Sequence, residues 1–303
     1  MPLIFGRESP KTARYKVVKN FFYLTKIGIV IFVLLSAIAG YLASLQPESG
    51  FHIQHFINLL VGTYFLSSGS LALNQVQEYK MDQKMNRTQN RPVAKGIIKP
   101  AAAGILAVAM IIVGSDFLYK ASELSCALGW MTIILYNGFY TLWWKTRWVF
   151  AAVPGAIPGA LPVTMGYAAN TQEIFSPDSI FLFTILFLWQ MPHFWALALK
   201  FKDDYQKAGV PTLPNAIGVQ RTIYQMGLYT FSYCGVALMA PMFVTVRWFY
   251  LIAVFPVVVQ IFIEFFRFLK SNGEKRWLAF FMWINVSVLV FLFIPAIDRW
   301  LFF

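Results

Sequence analysis

Long apolar runs separated by short polar breaks dominate the chain. Nine of them stand out, at roughly 24–45, 53–73, 101–119, 122–142, 149–170, 179–200, 222–245, 248–267 and 277–297. Each is about 20 mostly apolar residues long, the length at which an α-helix crosses the hydrocarbon core of a bilayer. Only helices and closed barrels satisfy their backbone in lipid, and runs of this length are helices. The pattern predicts an all-α, polytopic membrane protein of nine transmembrane helices. Within it, 1–303 reads as a single integral-membrane domain, with a basic tail over 1–20 and two longer polar segments at 74–100 and 200–221.

Charge sharpens this picture. Only 13% of residues are charged, against about a quarter in a soluble domain. Suppose the N-terminus and the segments 74–100, 143–148, 200–221 and 267–276 share one side of the membrane. All the Lys and Arg except Lys120, Arg247 and Arg299 then fall there, with Lys26 at its edge. Positive charge gathers on the cytoplasmic side, so nine spans run from a cytoplasmic N-terminus to an outside C-terminus. The net charge of +12 is thereby explained without nucleic acid. Cys126 and Cys234 lie in apolar runs with no CxxC spacing and read as buried thiols. The first 26 residues are basic, without the apolar core of a signal peptide or the Ser/Arg-rich look of a transit peptide. That points to a bacterial cytoplasmic (inner) membrane, crossed many times.

The two long polar segments carry the chemistry. The first, NQVQEYKMDQKMNRTQNRP at 74–92, places Asn74, Glu78 and Asp82 four residues apart at the end of span two. On a continued helix they lie within an arc of about 80° and a length of about 12 Å, one oxygen-lined stripe. Oxygen ligands suit Mg²⁺, which binds through one or two carboxylates plus substrate phosphates. Arg87, Arg91 and Lys95 follow closely, and Arg is suited to bidentate phosphate contacts. The plainer alternative is a set of ordinary charges at a helix end, where surface pairs are worth little. The second segment, WQMPHFWALALKFKDDYQKAGVPTLP at 189–214, argues against it. This segment also ends a span with acids (Asp203, Asp204) and bases (Lys200, Lys202, Lys207), and Lys200 and Asp204 again stand four apart. Two such clusters, four helices apart, can face each other across a cavity and clamp a metal–diphosphate complex. Ionisable residues at membrane depth or its edge are functional candidates.

These residues carry a resemblance. MNRTQNRPVAKG at 85–96, YTLWWKTR at 140–147, FLWQMPHFWALALKFKDDY at 187–205 and AGVPTLP at 208–214 follow in this order and spacing within the nine spans. Nearly the whole chain resembles the membrane-embedded aromatic prenyltransferases of the UbiA superfamily, and within it the haem-modifying branch. The superfamily's first metal motif, Asn-Asp-x-x-Asp-x-x-x-Asp, stands here as Asn74-x-x-x-Glu78-x-x-x-Asp82, with Gln75 where the first Asp is usual. The second motif, Asp-x-x-x-Asp, is degenerate: Lys200 and Asp204 have the spacing and Asp203 is adjacent.

The resemblance implies nine helices around a central cavity and a Mg²⁺-dependent enzyme. It implies transfer of a farnesyl group from farnesyl diphosphate to a vinyl group of haem b, with addition of water, giving haem o and diphosphate. Asn74, Glu78, Asp82, Lys200 and Asp204 would be the catalytic residues, with Asp203 joining Asn74, Glu78, Asp82 and Asp204 around the metal. Lys26, Arg87, Arg91, Lys95, Tyr140, Lys145 and Arg147 would meet the diphosphate. Lys26 reads otherwise as a snorkelling anchor, and Lys145 and Arg147 as topology charges. His193 would contact the porphyrin or, equally, serve packing, while His52 and His55 read as interfacial. Farnesyl diphosphate, haem b and the bilayer are the partners implied, with haem A synthase or a terminal oxidase as candidate protein partners. A quinone precursor or another aromatic is the alternative acceptor. A transporter and a structural subunit of a respiratory complex are the other classes, and the crowding of charge at one membrane edge disfavours the transporter.

Overall fold

The computed structural model describes residues 10–45 and 50–301. Every regular element among them is helical. Residues 1–9 of the expected tail lie outside the described residues; from Pro10 the chain is already helical, as α1 (Pro10–Thr25). There follow α2 (Ile27–Ser44), α3 (Ile53–Asp82) and α4 (Pro100–Ala121). Then come α5 (Glu123–Ile133), a π-helix (Ile134–Trp144), α6 (Lys145–Arg147), α7 (Ala152–Tyr167) and α8 (Pro177–Lys200). The chain closes with α9 (Lys202–Lys207), α10 (Leu213–Ile217), α11 (Val219–Leu238), α12 (Trp248–Lys270) and α13 (Trp277–Leu301).

Among the described residues, six helices are long and apolar enough to cross a membrane: α2, α3, α4, α8, α12 and α13. The other three expected runs depart from that simple form for identifiable reasons. The run at 122–142 is no single α-helix but α5 followed by the π segment, where a polar column faces α3. The run at 149–170 contracts to the 16 residues of α7, with Pro158 and Pro162 inside it. Proline removes backbone hydrogen bonds, so such a helix depends on close neighbours. The run at 222–245 ends at Leu238 and is interrupted by a 3₁₀ turn at Ala240–Met242, where Pro241 cannot continue the ladder.

Packing between helices rests on small residues. In lipid, apolar surface alone does not drive helices together, and close backbone contact does. At Gly40 and Gly166 a Cβ would overlap the carbonyls of Val163 and Ala37, so α2 and α7 touch backbone to backbone. At Gly69 a Cβ would sit 2.7 Å from the Ala107 carbonyl, which brings α3 equally close to α4. The thiols of Cys126 and Cys234 are free; Cys234 is buried as expected, whereas Cys126 is only partly buried.

At the end away from the two polar clusters, α13 ties other helices together. The Asp298 carboxylate accepts the Arg247 and Tyr250 N–H groups, at 2.5 and 3.0 Å, and so caps the start of α12. Arg299 donates to the Asp178 carboxylate at 2.7 Å and to the Ala43 carbonyl at 2.9 Å, joining the ends of α13, α8 and α2.

Candidate active site

The helix expected to continue past Asn74 does so, and α3 runs unbroken to Asp82. Asn74, Glu78 and Asp82 lie on one buried stripe, 1%, 4% and 1% exposed. A cation from a different part of the chain meets each oxygen. Lys26 Nζ donates to Asn74 Oδ1 at 2.6 Å. Lys145 Nζ donates to Glu78 Oε1 at 2.6 Å. Arg91 Nη1 lies 2.8 Å from both oxygens of Asp82. Burial opposes the charge on Lys145, but the Glu78 carboxylate beside it outweighs that and holds the ammonium above the ordinary lysine range.

The local backbone explains how Lys26 arrives there. It sits between α1 and α2 at φ 51° and ψ 54°, in the left-handed region that side-chain-bearing residues rarely adopt. Such a conformation costs on the order of 1 kcal/mol and persists where surrounding contacts over-determine it. The break leaves the last carbonyls of α1 short of helical partners, the Tyr23 carbonyl keeping a long 3.4 Å bond from the Lys26 N–H. Gln75 makes up the shortfall, donating through Nε2 to the Tyr23 and Leu24 carbonyls at 2.7 and 3.0 Å. Gln75 thus has a physical role where the superfamily motif carries Asp: a carboxylate could not donate these bonds.

The second cluster is organised differently. Lys200 and Asp204 do not share a helix, because α8 ends at Lys200 and Phe201 turns the chain with φ −112° and ψ 30°. This corrects the expected four-residue pairing. The Lys200 ammonium lies instead over the Trp277 ring, 5.4 Å from its centre. Asp204 is buried and accepts the Arg87 backbone N–H through Oδ2 at 3.0 Å, while Asp203 is exposed. The Arg87 guanidinium stacks over Phe201 at 4.9 Å and donates to the Tyr205 hydroxyl at 3.3 Å. Arg87 therefore links the two polar segments instead of joining the α3 stripe, which Arg91 reaches. Asn86, Arg87, Lys200, Phe201, Asp203, Asp204 and Lys207 line a cleft of about 470 Å³.

Other expected residues fall outside this geometry. The side chains of Lys95 and Arg147 are exposed, because the turn at Gly96 and the last residue of α6 point them away from the stripe. Tyr140 packs its ring on the backbone of Gly155, where a Cβ would lie 2.5 Å from Cδ2. His193 lies with its ring 4.6 Å from Trp189 and 5.0 Å from Phe281, and its buried Nδ1 has no hydrogen-bond partner. His52 and His55 are exposed at the far end of α3. Residues not singled out from the sequence also enter the site: Thr141 Oγ1 accepts from Asn74 Nδ2 at 3.1 Å, and Phe201 and Tyr205 hold Arg87. The signal for Thr141 was present, since Asn137, Thr141 and Lys145 repeat the four-residue spacing of α3.

The stripe fits a hard cation only in company. Among the described residues no three His, Cys, Asp or Glu side chains converge as a ready-made metal cage, so the five expected metal residues do not form one cluster. Glu78 and Asp82 provide two carboxylates beside an amide oxygen, the donor set with which Mg²⁺ is held when phosphate oxygens complete the shell.

This geometry sits in a recognised setting. Residues 33–286 match the UbiA prenyltransferase family, and the chain belongs to it. It is 58% identical to the protoheme IX farnesyltransferase of Bdellovibrio bacteriovorus, over 92% of this chain and 96% of that one. It is 35% identical to the protoheme IX farnesyltransferase of Aquifex aeolicus, over 91% and 94%. Among solved structures, a digeranylgeranylglyceryl phosphate synthase superposes with a TM-score of 0.74 at 17% identity, covering 92% of this chain and 98% of that one. A UbiA homologue from Archaeoglobus fulgidus bound to GPP and Mg²⁺ superposes with a TM-score of 0.64 at 14% identity, covering 91% and 99%.

Proposed function

We propose that this chain transfers the farnesyl group of farnesyl diphosphate to a vinyl group of haem b, with addition of water, giving haem o and diphosphate. The observation that carries the donor half is the convergence of Lys26, Lys145 and Arg91 on one buried oxygen stripe. The acceptor follows the relatives, whose shared name favours haem over a quinone precursor.

Each cation already faces an oxygen, so a diphosphate entering beside the stripe replaces the Asn74 amide oxygen and the two carboxylates as partner of the three cations. Lys26, Lys145 and Arg91 then neutralise the leaving group, and Asn74, Glu78 and Asp82, their oxygens freed, are the residues that would hold Mg²⁺. Mg²⁺, when bound, supplies Lewis-acid stabilisation of the departing diphosphate. Arg87, Lys200, Asp203 and Asp204 line the open cleft: the two cations meet the same head group directly, and the two carboxylates would meet it through a bound metal ion. Cleavage of the C1–O bond leaves an allylic cation. The haem vinyl group forms the new carbon–carbon bond, and water takes the resulting cation and loses a proton. No protein nucleophile is needed. His193, in its aromatic surroundings with an unpartnered Nδ1, is the residue we assign to haem contact. Tyr140 frames the head-group side through the π segment.

For topology, the reading is nine spans in a bacterial inner membrane, with the N-terminus in the cytoplasm and the C-terminus outside. The six long apolar helices are joined in this count by α5 with the π segment, α7 and α11.

The test is direct. Purified protein is incubated with haem b, farnesyl diphosphate and Mg²⁺, and the extracted haem is weighed by mass spectrometry. A gain of one farnesyl and one hydroxyl group, abolished by chelator, is expected. Unchanged haem from a preparation that binds farnesyl diphosphate would overturn the acceptor.

A further inference from the structure

The α3 stripe has a partner column that runs beside it. Ser70 Oγ donates to Asn137 Oδ1 at 2.6 Å, Asn74 Nδ2 to Thr141 Oγ1 at 3.1 Å, and Lys145 Nζ to Glu78 Oε1 at 2.6 Å. The two residues of every rung are 67 positions apart in sequence. Both columns therefore advance by four residues per rung and in the same direction, which makes α3 and the π segment parallel at this contact. Single π turns inside helices are found at functional sites, and here the π geometry spans Ile134–Trp144, which carries Asn137 and Thr141 and ends one residue before Lys145.

The upper rung does more than join two side chains. Asn137 Nδ2 donates to the Ser70 carbonyl at 3.0 Å and to Gln77 Oε1 at 3.1 Å, and Gln77 Nε2 donates back to the Asn137 carbonyl at 3.0 Å. Asn137 thus grips α3 on both sides of Asn74, at positions 70 and 77. The middle rung sets the side chain itself. Lys26 can only donate, so the Asn74 atom it meets is the carbonyl oxygen, and the amide nitrogen must point at Thr141. When Lys26 turns to an arriving head group, the bond to Thr141 is the one of these two contacts that still holds the amide end and so keeps the carbonyl end facing the head group. The Ser70–Asn137 and Asn74–Thr141 bonds are buried and the rest partly so, a setting in which a satisfied polar network specifies one arrangement.

We infer that Thr141 and Asn137 are positioning residues for the prenyl diphosphate site: the rungs they form hold α3 and turn the Asn74 carbonyl oxygen toward the head group. The inference rests on the functional reading above and deepens it.

Its test is binding, separate from turnover. Mg²⁺-dependent binding of farnesyl thiodiphosphate, an inert donor analogue, is measured by calorimetry alongside the thermal unfolding midpoint in detergent. Thr141→Val keeps the shape and removes the acceptor; affinity is expected to fall about tenfold, as for loss of one hydrogen bond in a charged site. Thr141→Ser restores the acceptor and should return affinity to near the wild-type value. Ser70→Ala, which does not enter the site, should weaken binding less, by about threefold, and it carries the test should Thr141→Val fail to fold. Wild-type affinity in Thr141→Val, or in Ser70→Ala where only that variant folds, would overturn the inference. So would a lower unfolding midpoint with affinity intact, which is the mark of a merely structural role. A wild-type protein that does not bind the analogue would instead remove the donor-site reading, and this inference with it.

Discussion

The end of α3 and the end of α8 look alike in composition, each a helix that runs out of lipid into acids and bases, yet they are built to opposite plans. On α3 the oxygens are buried and spaced by an unbroken helix, and three cations from Lys26, Arg91 and Lys145 close on them. At the end of α8 the helix breaks at Phe201, Asp203 faces solvent, and Asp204 is held by a loop backbone N–H. The first site is organised before any ligand arrives, and preorganised charge is what an ionisation step needs. The second is an open cleft whose walls belong to two segments joined by Arg87 stacking.

Substitutions can break or sharpen this contrast. The largest effect is expected on the organised side. Asp82→Ala or Glu78→Ala should lower haem o formation by about 10³-fold, measured by mass spectrometry on protein shown to be folded by size-exclusion chromatography. Each also strips the partner from a cation, and the uncompensated Lys145 in Glu78→Ala should cost several kcal/mol of stability, about 3–5 by analogy with other broken buried pairs. Normal turnover in folded Asp82→Ala would remove the stripe from the chemistry. Next, Lys145→Met should raise the KM for farnesyl diphosphate by about tenfold or more, since a charge-assisted contact to phosphate is lost; an unchanged KM would assign Lys145 to holding Glu78 alone. On the open side Arg87→Lys keeps the charge and removes the planar stack, so a loss of only about two- to fivefold is expected. A loss as large as that of Asp82→Ala would mean that the chemistry depends on the cleft no less than on the stripe. Smallest of all, Lys95→Ala and Arg147→Ala should leave steady-state rates within about twofold, because both side chains are exposed.

The same contrast explains what could be read in advance. The α3 stripe was readable because four-residue spacing on a helix places side chains on one face whatever surrounds it. The apolar lengths likewise marked the helices, although Pro158, Pro162 and the π segment made two of them irregular and the 3₁₀ turn at Pro241 cut a third short. The Lys200–Asp204 pairing failed for the complementary reason: spacing counts only while the helix lasts, and Phe201 ends it. Gln75 looked like a defect in a motif. Its meaning lies in the Tyr23 and Leu24 carbonyls beside the left-handed turn at Lys26, far away in the chain, to which it donates.

From the sequence alone came the helical class, the membrane setting, the stripe of Asn74, Glu78 and Asp82, and the supply of nearby cations. These follow from hydropathy, length and helical period, which act over a turn or two of one segment. Which cation meets which oxygen was decided only by the tertiary structure. Lys26, Arg91 and Lys145 reach the stripe, whereas Lys95 and Arg147, of the same charge and close in sequence, do not. The physical reason is that a salt bridge needs atoms within about 4 Å, and that distance depends on how α1, α3, the following loop and the π segment pack together, which no local pattern encodes.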